Sequence, residues 1–495
     1  MPASPTPQRV IARGVGSNVL SFVIRFAAKI SLLYIGANLF GKATYGVYTV
    51  AVATVELAVP IASLGLKRML FPWLEEDAQR RGATHVLLDA LLLAACAGIL
   101  IALFVMALSW SLPQDLVSDQ LRLALIVLAP AVLCQIVGDI SLAATRWTHK
   151  MRYDVTGRGL IEPYIAAAAT FAAWYAGLQQ VGMLVGYWAG SLAIAGYSLW
   201  SARHCLGSLN LRRWRPSPAA LAIRARTLLP AGGSDLVTSL AQRIDLFLVG
   251  LLLGDASAGI YGVVRQLRTP ILQIRQAFDG ILTPLTARTM RADGDTATGA
   301  ALGAAARVIL TGQLAAVLLM VAAGEALLGL FGQQYTVGYW TLIAMVLTET
   351  VNGAFGVSEL IIYYRRPHLA LAVNLVLIGI GAVLVPVLAP LLGTLGAALA
   401  MLSAALIATV LRRHWLAGLG VRNTGLHAAV PLAAAVIGGL IGVVVYEALA
   451  ASLAAPALID KIAPPVLAIG SYGALIWLWT RLRPGELSLA RFRLS

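Results

Sequence analysis

Residues 368–411 read HLALAVNLVLIGIGAVLVPVLAPLLGTLGAALAMLSAALIATVL and contain no Asp, Glu, Lys or Arg. This run is long enough for two membrane crossings, because one crossing helix needs about 20 apolar residues. Residues 423–446 and 462–480 are also apolar stretches without Asp, Glu, Lys or Arg. In the whole chain 59% of the residues are hydrophobic and 12% are charged, against about 25% charged in globular proteins. These numbers exclude a water-soluble fold and predict an all-α polytopic membrane protein.

Along the whole chain, the hydropathy pattern predicts about 14 transmembrane helices. The first apolar stretch is interrupted by Arg25 and Lys29 and has no clear cleavage site, so we interpret it as a retained helix and not as a signal peptide. The predicted spans are residues 14–40, 45–66, 85–110, 120–143, 159–177, 182–202, 228–253, 259–287, 303–331, 338–362, 369–388, 391–411, 427–447 and 463–480. Prolines in or near these spans are expected to kink them: Pro60, Pro130, Pro230, Pro270, Pro386 and Pro431.

The distribution of basic residues predicts the orientation of these spans. The chain has 37 Lys and Arg against 22 Asp and Glu, a net charge of +15. With a cytoplasmic N-terminus, the inner connections are strongly basic and the outer ones contain only Lys42, Arg122 and Lys461, as the positive-inside rule requires. Both termini are therefore expected in the cytoplasm. The positive charge is explained by topology, so no nucleic-acid partner is expected.

A short motif occurs twice in the chain. Residues 41–48 read GKATYGVY and residues 254–261 read GDASAGIY, so both follow the pattern G-x-x-x-x-G-x-Y. Glycines beside a tight turn allow two helices to approach closely, and tyrosine is common at the membrane interface. The repeat places predicted helix 7 in the position of helix 1 with the same orientation. It predicts two six-helix lobes, residues 1–213 and 214–425, followed by residues 426–495 with helices 13 and 14 and a cytoplasmic tail.

Polar side chains inside the spans give the candidate binding residues. Six cations facing lipid would cost on the order of 15 to 20 kcal/mol, which exceeds the stability of a typical protein. They are therefore expected to line a central hydrated cavity or to form internal ion pairs. The candidate substrate-binding residues are Asn18, Arg25, Lys29, Arg243, Arg265, Arg268, Arg275 and Gln276.

The acidic residues of the spans indicate which cations form internal ion pairs and which are expected to line the cavity. Arg275 and Asp279 are four residues apart on one helix, a spacing that favours an ion pair. Few acids match the depth of Arg25, Lys29, Arg265 and Arg268, so these cations are expected to need an external anion, and phosphate is a natural ligand of arginine. Buried carboxylates that can exchange a proton or bind an ion are candidates for coupling: Asp245, Asp279 and Glu56.

Two stretches carry a resemblance to a known family. Residues 17–48, SNVLSFVIRFAAKISLLYIGANLFGKATYGVY, and residues 241–264, AQRIDLFLVGLLLGDASAGIYGVV, resemble the Wzx-type flippases. These are the polysaccharide-transporter branch of the multidrug/oligosaccharidyl-lipid/polysaccharide (MOP) exporter superfamily. The resemblance implies a V-shaped fold of two lobes and alternating access.

The resemblance also implies a substrate and a setting. The substrate would be undecaprenyl-diphosphate-linked oligosaccharide, translocated across the bacterial inner membrane for lipopolysaccharide O-antigen, exopolysaccharide or capsule. A polysaccharide polymerase and a chain-length regulator would be partners. No cofactor is expected, and the candidate energy source is a gradient of protons or sodium ions.

Three alternatives are weighed against this interpretation. A lipid II flippase has a similar cationic cavity and helix number, and the sequence does not distinguish it. A multidrug exporter of the same superfamily moves cations, which the predicted arginines would repel. A membrane glycosyltransferase or polymerase needs catalytic acids in a roomy outer loop, whereas the outer acids lie in short loops: Asp115, Asp119, Asp255 and Asp460. We therefore expect a transporter and not an enzyme.

Overall fold

The computed structural model describes residues 27–113, 117–179, 181–207, 214–292, 294–421, 428–452 and 457–483, and this part of the chain is helical and without strands. The first nine helices are α1 (Ala27–Leu39), α2 (Gly41–Ser63), α3 (Leu66–Arg81), α4 (Ala83–Ser111), α5 (Asp119–Leu128), α6 (Ala131–Trp147), α7 (Arg152–Thr156), α8 (Glu162–Tyr175) and α9 (Gly182–Leu206). A π-helical turn, Gly157–Ile161, joins α7 to α8.

The later helices are α10 (Pro218–Ala241), α11 (Ile244–Leu253), α12 (Asp255–Leu267), α13 (Thr269–Ala292), α14 (Gly294–Gly329), α15 (Tyr339–Phe355), α16 (Glu359–Arg365), α17 (Pro367–Leu392), α18 (Thr394–Gly418), α19 (Ala429–Ser452) and α20 (Ala457–Leu482). Short 3₁₀ turns, Gln333–Gly338 and Gly356–Ser358, flank α15.

The described helices fit a multi-pass membrane protein. Seven helical segments are long and apolar enough to cross a membrane, or up to nine if two bent pairs each form one span. α4 and α17 carry large apolar side chains on their outer faces, among them Phe104 and Leu391 at 65% and 74% exposure, as expected of helices in contact with lipid. The all-α polytopic fold is confirmed. The number of fourteen spans is not, because several predicted spans correspond to shorter or interrupted helices.

Two predicted spans each correspond to a pair of helices that meet at an angle. α5 and α6 meet at 42°, and Pro130 lies between them. A proline has no backbone N–H for the helix ladder, and its ring clashes with the preceding turn. α10 and α11 meet at 50° around Gln242 and Arg243. Broken helices expose backbone and polar side chains at membrane depth, which transporters use for binding sites.

A third span, predicted as one helix over residues 259–287, is two helices. α12 ends at Leu267 and α13 begins at Thr269, so Arg268 occupies the break. Pro270 is the second residue of α13, and a proline is tolerated there because the first turn of a helix has no donors to lose. The predicted span is therefore interrupted at Arg268.

The chain divides into two compact units, Met1–Gly262 and Val263–Ser495. In the first unit α2 packs against α4, α5 and α6, and α9 packs against α6 and α8. The side chains of Leu128, Ile136 and Ile140 lie in its buried core. The predicted division at residues 213 and 425 stays a prediction.

The second unit is built around the longest helix. α14 packs against α13, α15 and α20, while α17 packs on α18 and α19 on α20. Ile309, Leu310 and Ile361 are nearly inaccessible to solvent in its core.

Candidate functional site

The two repeated turns lie against each other within the first unit. A Cβ atom added to Gly46 would lie 1.8 Å from the carbonyl oxygen of Asp255, and one added to Gly259 would lie 1.9 Å from that of Lys42. Gly46 and Gly259 hold the same place in the motif, as do Lys42 and Asp255, so the contact is reciprocal. We call it the glycine contact. It brings the two helix backbones closer than any side chain would allow.

The first glycine of each motif sets the helix start. Gly41 and Gly254 both have positive φ, at 81° and 79°, which only glycine adopts without strain. The motif's last residue differs between the copies. Tyr48 packs edge-on against the ring of Tyr187, with centroids 6.4 Å apart, whereas the hydroxyl of Tyr261 donates a hydrogen bond to a carboxylate.

That carboxylate belongs to Asp245, in the first turn of α11. The Tyr261 hydroxyl lies 2.9 Å from Asp245 Oδ2, and both side chains are buried. A buried carboxylate needs donors to offset the water that it has lost. Asp245, a predicted coupling residue, therefore lies in a hydrogen-bonded core position beside the glycine contact.

Arg243 lies at the break between α10 and α11 and reaches α2. Its Nη2 and Nε atoms lie 2.9 and 3.3 Å from Oε2 of Glu56. The Arg243 side chain is 19% exposed and that of Glu56 is 54% exposed. This ion pair thus joins Arg243, a predicted substrate-binding residue, to Glu56, a predicted coupling residue. More than half of the Glu56 side chain is thus exposed, whereas the guanidinium that it contacts is largely buried.

In the second unit, Arg268 is paired with an acid that the sequence does not predict as its partner. Its Nη1 atom lies 2.7 Å from Oε1 of Glu349, on α15, and both side chains are mostly buried. The buried Gln313 also links this region, because its amide donates to the carbonyl oxygens of Ile271 and Glu349. The expectation that Arg268 lacks a partner acid is therefore wrong.

Arg275 and Asp279 approach as their spacing predicts. Nε of Arg275 lies 4.0 Å from Oδ1 of Asp279, a loose pair between partly exposed side chains. Gln276 is exposed on the same helix, and Arg265 lies half-buried in the last turn of α12.

The remaining predicted residues belong to the first span. Lys29 is exposed on α1. Asn18 and Arg25 lie outside the described residues. The prediction that all the candidate residues line one cavity stays a prediction. Among the described residues, no group of His, Cys, Asp and Glu is arranged to hold a metal ion.

A further charged cluster is not predicted from the sequence. Arg158 in the π turn contacts the carboxylates of Asp139 on α6 and Glu162 on α8. The predicted fifth span begins at residue 159, which places Arg158 in an inner connection. The spacing of Arg158 and Glu162, four residues apart, was the signal that could have revealed the pair.

Solved structures define the class of fold. The chain is similar to the structure titled lipid II flippase MurJ, inward closed conformation, with a TM-score of 0.71, 14% identity, and coverage of 94% of this chain and 99% of that chain. It is also similar to an inward-facing multidrug resistance MATE family transporter of the MOP superfamily, with a TM-score of 0.64, 15% identity, and coverage of 81% and 98%. The chain has the MOP fold.

The family follows from the sequence itself. The chain belongs to the family described as polysaccharide biosynthesis protein, whose model matches residues 35–339. No sequence among curated proteins is significantly similar to it. Another similar structure is an outward-facing multidrug resistance MATE family transporter, with a TM-score of 0.52, 15% identity, and coverage of 84% and 96%. The MOP fold and the polysaccharide biosynthesis family that the resemblance implies are confirmed.

Proposed function

We propose that this chain is a flippase that translocates undecaprenyl-diphosphate-linked oligosaccharide across the bacterial inner membrane by alternating access. Membership of a polysaccharide biosynthesis family supports a sugar substrate. The MOP fold supports transport, and one protein with this fold is named as a flippase of lipid II. The oligosaccharide would serve O-antigen, exopolysaccharide or capsule assembly.

The observation that carries this proposal is the ion pair of Arg243 and Glu56. Arginine presents a planar fork of donors that matches a phosphate oxygen pair. Glu56 engages that fork through one oxygen while more than half of its own side chain is exposed. A diphosphate, with more charge and more acceptor oxygens, can replace the carboxylate on Arg243. The sugar would then lie in water and the lipid tail in the bilayer.

We also propose an orientation in the membrane, partner proteins and an energy source. Both termini would lie in the cytoplasm, and a polysaccharide polymerase and a chain-length regulator would act on the product. A proton or sodium gradient would drive the cycle without a cofactor. Asp245, Asp279 and Glu56 stay candidates for coupling, and each has a structural partner: Tyr261, Arg275 and Arg243.

Reconstitution tests the proposal directly. The purified chain in proteoliposomes should flip a fluorescent undecaprenyl-diphosphate-linked oligosaccharide, and should not transport lipid II or a cationic rhodamine dye. Arg243→Gln should lower the flipping rate about tenfold or more, since a charge-assisted contact to phosphate is lost. Arg224→Gln is the matched control, because Arg224 pairs with Asp77 in the same unit, away from the break. Equal flipping of lipid II, or an unaffected Arg243→Gln variant, would contradict the proposal.

A further inference from the structure

An apolar groove runs along α9 in the first unit. Its volume is about 570 Å³, within the range of small-molecule sites. α9 contributes one face of its first three turns: Val181, Leu184, Val185, Trp188, Ala189 and Leu192. Val127, near the end of α5, forms the facing wall. We call this surface the α5–α9 groove.

The α5–α9 groove is open on its outer side. Val185 and Leu192 are 41% and 57% exposed, and Leu123, one turn before Val127 on α5, is 50% exposed. In a multi-pass membrane protein, large apolar side chains with this exposure are in contact with hydrocarbon. The molecule that fills the groove is therefore apolar where it touches α9.

Two sets of contacts hold the walls of the groove in place. The indole Nε1 of Trp188 donates a hydrogen bond to the carbonyl oxygen of Val127 at 3.0 Å, which joins α9 to the end of α5. Gly186 and Gly190 lie close against α8, and a Cβ atom added to Gly186 would lie 1.8 Å from Oγ1 of Thr170. α9 is thus held between α5 and α8, and the protein itself sets the shape of the groove.

One end of the groove is polar. Leu184 also lines a cleft of about 30 Å³, which is room for a water molecule. The cleft is formed where three helices begin, and it contains Thr44 and Tyr48 of α2 and Gln120 of α5 beside Met183 of α9. Hydroxyl and amide groups therefore lie at one end of the α5–α9 groove, and hydrocarbon side chains line the rest.

The length of the apolar part fits one leaflet of a bilayer. From Val181 to Leu192 the helix rises by about 16 Å, at 1.5 Å per residue. The hydrocarbon core of a bilayer is about 30 Å thick, so one leaflet contributes about 15 Å. The polar cleft lies at the end where the headgroup region of that leaflet begins. The groove thus matches a lipid chain that spans one leaflet and has its polar end at the cleft.

Other apolar occupants match the groove less well. A helix of a second copy of this chain would be about 10 to 12 Å across, and close helix contacts in membranes use small residues, whereas the groove is lined mainly by Val, Leu and Trp. An undecaprenyl tail is several times longer than a leaflet is thick, so most of it would lie outside the groove. The dimensions therefore favour the acyl chain of a phospholipid.

We propose that the α5–α9 groove binds one acyl chain of a membrane phospholipid. The phospholipid belongs to the leaflet on the side of the turn at Lys42, which the proposed orientation places outside. Its ester and headgroup lie at Thr44 and Gln120, and its hydrocarbon lies along α9. The bound chain packs against Trp188 and stabilises the contact between α9 and the end of α5. This inference does not depend on the substrate that the protein transports.

Photocrosslinking of the purified full chain in lipid nanodiscs tests the site directly. The probe is a phosphatidylethanolamine with a diazirine midway along one acyl chain, and peptide mass spectrometry locates the adducts. Per residue, adducts on residues 181–192 should exceed those on residues 383–391 of α17, which also carry exposed apolar side chains. The expected excess is about fivefold, which corresponds to a preference of about 1 kcal/mol. Equal labelling of the two regions would overturn the proposal.

Filling the groove should remove this enrichment. Ala189→Phe places a ring in the groove and should reduce the adducts on residues 181–192 to the level of α17. Ala172→Phe adds the same ring at an exposed position of α8 and should leave the enrichment unchanged. If Ala189→Phe does not fold, Leu192→Trp takes its place, because that side chain is already mostly exposed. Enrichment that survives in the filled groove would refute the site.

A second probe distinguishes a phospholipid from a polyprenyl lipid. Diazirine-labelled undecaprenyl phosphate, at the same molar fraction in the nanodisc, should give no enrichment on residues 181–192. Preferential labelling of these residues by the polyprenyl probe would assign the groove to a polyprenyl tail and overturn the proposal.

Thermal unfolding measures the effect of the lipid on stability. The unfolding temperature of delipidated wild type in detergent should rise by about 2 °C or more when phosphatidylethanolamine is added, since a ligand of the folded state stabilises it. Ala189→Phe should lose most of this gain, and Ala172→Phe should keep it. A wild type without the gain would contradict the proposal. These experiments contain no oligosaccharide substrate, so their outcome is separate from that of the flipping assay.

Discussion

The two copies of the repeated turn share a backbone contact and differ in the chemistry around it. Gly46 and Gly259 each make room for a carbonyl oxygen of the other copy. Beside them, Tyr261 is bonded to the buried Asp245, whereas Tyr48 packs against the ring of Tyr187. A close backbone approach therefore requires glycine in both copies, whereas the neighbouring side chains can take different roles.

The largest effect on stability is expected when a methyl group is added at either glycine of the glycine contact. Gly46→Ala and Gly259→Ala should each cost about 3 kcal/mol of stability, because the new methyl group overlaps a backbone oxygen that cannot rotate away. Thermal unfolding of the purified variants should show similar losses for both. Gly196→Ala, on α9 with open space around it, is the control and should be neutral or slightly stabilising. If Gly46→Ala did not lower the stability, the glycine contact would not require glycine in both copies.

The tyrosines test the asymmetry. Tyr261→Phe removes a donor from a buried carboxylate and should cost about 1 to 3 kcal/mol. Tyr48→Phe retains the ring contacts and should cost less than about 0.5 kcal/mol, as for a substitution that disturbs no special feature. Unfolding of the two variants under identical conditions measures the difference. Equal losses would mean that the two copies have not diverged at this position.

Asp245 has no acidic counterpart in the first copy, because the repeat places Leu32 at the corresponding position. The amide oxygen of Asp245→Asn can still accept the Tyr261 hydrogen bond, so stability should fall by about 1 kcal/mol or less. If Asp245 carries the coupling ion, gradient-dependent flipping should disappear in this variant. Asp279→Asn, whose acid pairs with Arg275, should keep it. Unchanged gradient dependence in Asp245→Asn would assign the residue a structural role.

The smallest effect is expected from labelling, which tests orientation. Thr44→Cys and Ser257→Cys place a thiol at equivalent positions of the two turns, and neither should alter stability measurably. Both should react with a membrane-impermeant maleimide added outside intact cells, while a reporter fused after Arg483 should behave as cytoplasmic. Labelling of the two cysteines from opposite sides would contradict the parallel repeat.

The sequence predicts the fold well because hydropathy and membrane thickness constrain it strongly. The uncharged run of residues 368–411 appears as α17 and α18, although α18 continues to Gly418, seven residues beyond the predicted end. The helix breaks are less predictable. A proline at position 270 indicates one of them, but the bend at Arg243 has no proline to mark it.

The ion pairs of the site were harder to predict. Helical periodicity shows which residues share a face, and so it indicated the local pair of Arg275 and Asp279. It does not show which face meets another helix, so the partnership of Arg268 with Glu349 on α15 was missed. The Arg158 cluster is not predicted for a different reason, because the predicted fifth span begins at residue 159 and leaves this cation in a connection.

The glycine contact also sets an order of events during biosynthesis. Its two halves are separated by roughly 200 residues of chain, and synthesis proceeds at about 5 to 20 residues per second, so the first turn waits on the order of 10 to 40 s for its counterpart. During this interval the start of α2 is already in the membrane with its closest neighbour still unmade. Insertion machinery or lipid must shield that surface, and a chain truncated before Gly254 would leave it uncovered permanently.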